Sequence, residues 1–83
     1  MYSDSENVPT AHAQAKFLVK GYSNSNIREI EKSLSELTGV YHVNIRESDG
    51  ETTIDYNPFQ TSLASVSTIL EKRGLENTFL PYV

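Results

Sequence analysis

Residues 27–56 read IREIEKSLSELTGVYHVNIRESDGETTIDY, and the change of period inside this stretch decides the fold. Ile27, Ile30, Leu34 and Leu37 recur at helical spacing, which puts them on one side of a helix with Glu29, Lys32, Ser33 and Glu36 facing water. Asn26 followed by Glu29 has the spacing of a capping box, with asparagine standing in for serine or threonine. Gly39 supplies the left-handed residue that ends the helix, and Val40 packs back as its closure. From Val40 the period is two. Tyr41, Val43 and Ile45 share one face of a strand, and His42 and Asn44 share the other. Asp49-Gly50 then signals a hairpin turn. Beyond it, Thr52, Ile54 and Tyr56 alternate with Thr53 and Asp55 in a further strand.

Working outward, Ala15 to Tyr22 forms a first strand with Phe17 and Val19 on one side and Leu18 on the other, as expected of a central strand buried on both faces. Asn57-Pro58 stops the third strand. Thr61 or Ser62 caps a second helix carrying Leu63, Val66, Ile69 and Leu70, which Gly74 ends. A last strand over residues 76–82 contains Pro81, which cannot donate to a ladder and therefore belongs at a sheet edge. The order is βαββαβ. Right-handed crossovers put both helices on one face of an antiparallel four-stranded sheet, an α+β ferredoxin-like sandwich. Residues 1–14 are polar and without period, and read as a flexible N-terminal arm before a domain spanning 15–83.

Composition narrows the function. The 83 residues make one domain, and a net charge of −4 argues against a nucleic-acid binder, which needs basic surface to displace counterions. The chain has no cysteine, so it offers neither a disulfide nor a thiolate for catalysis or metal binding. The amino end lacks a basic start and an apolar run, and no window suits a membrane span, so a soluble, cytoplasmic chain without membrane insertion is expected.

The segments IEKSLSELTGVYHVNI, TTIDYNPFQTS and STILEKRG together resemble the heavy-metal-associated domain of copper chaperones and metal-transporting ATPases, over residues 16–83. Ile30-Glu31, Leu34, Leu37, Gly39-Val40, Val43, Tyr56-Asn57-Pro58 and Thr61-Ser62 carry the resemblance. Such domains follow their first strand with Gly-Met-x-Cys-x-x-Cys, whereas this chain has Gly21, Tyr22 and then SNSN, one residue shorter before Ile30. Counting back from the helix puts Ser23 and Asn26 at the cysteine positions; counting forward from Gly21 puts Asn24 and Ile27 there. Neither register supplies the sulfur that copper(I) favours. Neutral hydroxyl and amide oxygens also suit zinc poorly, and a helix N-terminus favours anions. The metal-carrier activity and metal cofactor implied by the resemblance therefore lack their ligands.

Other chemistry is sparse. His12 and His42 lack the spacing of a ligand pair, and Glu29, Glu31 and Glu36 stud a solvated helix face. Asp49 is explained by its turn, since the alternating oxygen ligands of a calcium loop are missing. No nucleophile–base order or phosphate-binding glycine loop is present, so an enzyme is not expected. ETTIDY lacks the aromatic platform of an RNA-recognition strand. The expected role is a protein-interaction or regulatory module. The resemblance implies a docking surface at the loop after the first strand, made of Tyr22, Ser23, Asn24, Ser25 and Asn26 with Leu75 beside it. Tyr22 would be its exposed aromatic anchor, the alternative being a ring that merely packs on the loop. The implied partner is a metal-transport ATPase or another heavy-metal-associated domain. A metal carrier with unconventional ligands and a small-ligand sensor of the ACT type are the alternatives.

Overall fold

A computed structural model describes residues 11–81. The elements run β1 (Ala13–Lys20), α1 (Ile27–Ser35), β2 (Val40–Arg46), β3 (Glu51–Tyr56), α2 (Leu63–Lys72) and β4 (Glu76–Leu80). All strand pairs are antiparallel, in the order β2-β3-β1-β4, and the two helices complete the ferredoxin-like βαββαβ arrangement. β1 begins two residues earlier than its apolar run suggests, because Ala13 and Gln14 pair with Tyr56 and Asp55. Residues 1–10 of the expected arm, and Tyr82 of the expected last strand, lie outside the described residues. Pro81 follows β4, and β4 is an edge strand as proline requires.

The core lies between the helices and one sheet face. Phe17, Ile30, Leu34, Ile54, Val66 and Leu70 are shut off from solvent, with Ala15, Val19 and Val43 beside them. Only one face of β1 is covered. Leu18, expected to be buried, is exposed, because no layer among the described residues packs on the far side of the sheet. β2 departs from simple alternation. Val40 opposes Tyr56 and His42 opposes Asp55, so Tyr41 is the extra residue of a bulge. It therefore leaves the core face expected of it, and its exposed ring stacks on His12 with centroids 4.3 Å apart.

Local chemistry sets the element ends. The Ser62 hydroxyl accepts from the Ser65 N–H and caps α2. At its other end, the N–H groups of Gly74 and Leu75 donate to the carbonyls of Glu71 and Leu70, a Schellman closure. Gly39 does have positive φ, but α1 already ends at Ser35, and the glycine instead turns the chain into β2, where its carbonyl accepts from Asn57 N–H. The β2–β3 hairpin is held by Asp49, whose carboxylate accepts from the Arg46 guanidinium and from the Glu51 N–H. Those hydrogen bonds, Arg46 first, lower its pKa to about 2. Gly50 is required by close approach: a Cβ there would lie 2.0 Å from the Val19 carbonyl oxygen.

Leu34 sits on the central stripe of α1 with no solvent exposure. Leu34→Ala is expected to lower the unfolding free energy by about 2–5 kcal/mol, read from urea denaturation, because the cavity lies between helix and sheet where neither collapses freely.

Candidate functional site

The candidate site is the crossing from β1 into α1, residues 21–26. Its backbone already turns toward the helix at Ser23, whose carbonyl accepts from the N–H groups of both Asn26 and Ile27. Asn26 occupies the N-cap position, but its side chain makes no capping bond. The capping box expected with Glu29 does not form. The Asn26 amide instead faces back into the loop, where Oδ1 accepts from Ser23 N–H at 2.8 Å and Nδ2 donates to the Gly21 carbonyl at 3.0 Å. Ser23 and Ser25 share a hydroxyl–hydroxyl bond of 2.9 Å. Ser23 and Asn26, one of the two pairs at the cysteine positions of the resemblance, are thus in contact with each other.

Tyr22 is not the free anchor expected from the sequence. It is half-buried against the core, and its hydroxyl lies 2.7 Å from Thr52 Oγ1. Thr52 is fully buried and directs its hydroxyl at the Gly50 carbonyl. A threonine hydroxyl has a single proton, so Tyr22 is the donor of this pair. The ring locks the loop to the hairpin. Burial raises the Tyr22 pKa, and the rise is partly offset because the Thr52 hydroxyl can turn to donate to the phenolate.

Leu75 also leaves the proposed surface. It is 5% exposed, because the Schellman turn ending α2 folds it back onto the core. Its neighbourhood is as expected: a Cβ on Gly21 would come 2.6 Å from Leu75 Cδ2, so loop and turn are in close contact. What remains accessible is Asn24 and Ser25, with Ser23 and Asn26 part-buried beside them. Glu29, read as a solvated carboxylate, accepts from Arg73 at 3.2 Å, and Arg73 also reaches Ser33, tying α2 to α1. Sequence spacing gave no sign of this pair, which joins residues far apart in the chain. Glu31 and Glu36 are exposed.

These donors do not fit a soft metal ion. The loop has no sulfur, its Asn26 amide is taken up by the Ser23 N–H and the Gly21 carbonyl, and the Ser23 and Ser25 hydroxyls bond to each other. Among the described residues, no group of three or more His, Cys, Asp or Glu could hold a metal. No helix among them is long and apolar enough to cross a membrane.

Comparison with solved structures supplies the context for this loop. The metallochaperone CsoZ matches 83% of this chain and 100% of its own at 24% identity and a TM-score of 0.75. Oxidized MerP from Ralstonia metallidurans matches 83% of this chain and 97% of its own, at 16% identity and a TM-score of 0.76. The N-terminal domain of a potential copper-translocating P-type ATPase from Bacillus subtilis, in its Cu(I)-loaded state, matches 88% and 96% at 21% identity and a TM-score of 0.77. The fold is that of the heavy-metal-associated domain. At these identities the likeness concerns the backbone, and this version of the fold has no CxxC motif. No family model and no curated protein matches the chain.

Tyr22→Phe is expected to cost about 0.5–1.5 kcal/mol in urea denaturation at neutral pH, since Thr52 keeps the Gly50 carbonyl but loses the Tyr22 hydroxyl. Because the folded Tyr22 pKa is raised, its contribution is complete below the ordinary value of about 10 and is lost as pH rises through the folded value. The variant should lack that part of the alkaline loss.

Asn26→Ala removes two loop hydrogen bonds. The expected outcome is a loss of about 1 kcal/mol or more, with faster amide exchange at Ser23.

Proposed function

We propose that this domain is a non-enzymatic protein-interaction or regulatory module that keeps the heavy-metal-associated fold without its thiolate metal site. The observation that carries this reading is the Asn26 side chain, which closes the loop onto Gly21 and Ser23 at one of the positions where the resemblance implies a cysteine. A loop organised by its own amide needs no ion to hold its shape. It presents Asn24 and Ser25 at a surface already formed, so little ordering entropy is lost on docking.

The candidate partners are a metal-transport ATPase or another domain of the same fold, by analogy with the proteins that share this backbone. The acidic balance of the chain favours a partner with some basic surface, with salt acting on the association rate more than on specificity. A cytoplasmic setting suits this reading.

Two measurements test it together. Titration with copper(I) and with zinc should give only weak association that a competing chelator removes. Heteronuclear shift mapping with an ATPase metal-binding domain should perturb Ser23, Asn24 and Ser25, and the Asn24→Arg, Ser25→Arg double variant should weaken that binding by about tenfold. Stoichiometric metal binding that survives the chelator would favour a carrier with unconventional ligands. Protein binding that leaves the loop unperturbed would remove the docking role.

A further inference from the structure

A second surface, which includes none of residues 21–26, lies along the outer edge of β2. Among the described residues β2 has a neighbour on one side only, which leaves half of its backbone groups facing outward. α1 lies over this strand, and the two elements enclose a shallow open groove. Arg28, Glu31, Lys32 and Ser35 of α1 form one wall, and Tyr41 and His42 of β2 form the other. Arg28 and Lys32 are one helical turn apart, and neither side chain has an ion pair or hydrogen bond among the described residues. Arg46 and Arg73, by contrast, each engage carboxylates. Among the described residues, these two cations face the single carboxylate of Glu31 and make the groove locally basic, in a chain whose net charge is −4.

Each feature restricts the occupant. An open strand edge takes an extended chain, because backbone N–H and C=O groups are then satisfied pairwise. Cations at the rim select carboxylates. The opposite edge, β4, runs into Pro81 and carries Glu76, so it is the poorer acceptor for such a segment. We propose that the groove between α1 and β2 receives an extended acidic segment of a partner protein, which adds beside β2 as a fifth strand and sets its carboxylates against Arg28 and Lys32. This surface goes beyond the loop reading and stands or falls separately from it.

The experiment uses the full isotope-labelled chain and three probes. These are a short peptide alternating glutamate with valine or threonine, the same peptide with lysine for glutamate, and a single-stranded oligonucleotide of matched charge. The acidic peptide should shift the amides of Arg28, Lys32 and Tyr41 to Val43, and slow amide exchange along β2. The lysine peptide and the oligonucleotide should bind at least about tenfold more weakly. Arg28→Glu with Lys32→Glu, both exposed on α1, should reverse the preference between the two peptides while leaving the core amide shifts in place. Failure of the acidic peptide to bind overturns the proposal. So does equal binding of the oligonucleotide, an unchanged preference in the double variant, or shifts at the cations without protection of β2. Shifts confined to Ser23–Ser25 also overturn it, and leave the loop surface standing.

Discussion

The domain depends on the contact between two short helices and one face of its sheet. Helices of nine and ten residues are marginal alone, because nucleation costs more than so few hydrogen bonds return. They persist here because Ile30 and Leu34 from one, and Val66 and Leu70 from the other, close over Phe17 and Ile54. Burying a side chain of that size is worth about 1.5–3 kcal/mol, so these few residues outweigh any surface ion pair in the chain. The far side of the sheet has no such cover among the described residues, which explains why Leu18 is exposed on a central strand.

The Gly50 carbonyl links this core to the loop. It accepts from Val19 N–H, extending contact between β1 and the hairpin, and also from the Thr52 hydroxyl. Thr52 in turn receives the Tyr22 hydroxyl. A buried polar chain of this kind is stabilising only when every member is satisfied, and no buried side-chain nitrogen or oxygen among the described residues lacks a partner. The residue that looks like a surface aromatic in sequence is thus a brace between two turns.

The same loop position therefore has a different physical organisation from that of a thiolate site. Two sulfurs hold an ion and are drawn together by it. Here Asn26 draws Gly21 and Ser23 together through its amide, and the loop shape follows from neutral hydrogen bonds. Such bonds are weak singly, about 1 kcal/mol, but they need no ion and no deprotonation. The backbone frame and the chemistry mounted on it are separable properties of this fold.

The sequence by itself determined the order of elements, the faces of α1, α2 and β3, and the absence of sulfur chemistry. These follow from periodicity and residue type, which act over a few neighbouring positions. Ile30, Leu34, Val66 and Leu70 were legible for that reason, as was the edge position of the strand before Pro81. Only the tertiary structure decided the places of Tyr22, Asn26, Tyr41 and Leu75. Tyr22 depends on Thr52, thirty residues away, and Leu75 on the fold-back at the end of α2. Tyr41 turns outward because β2 gains a residue relative to β3, and a bulge belongs to a pair of strands. Asn26 had a valid local partner in the capping box, yet its amide satisfies the Gly21 carbonyl and the Ser23 N–H instead. A polar side chain goes where folded backbone leaves groups to satisfy, and those groups are placed only when the chain has closed around them.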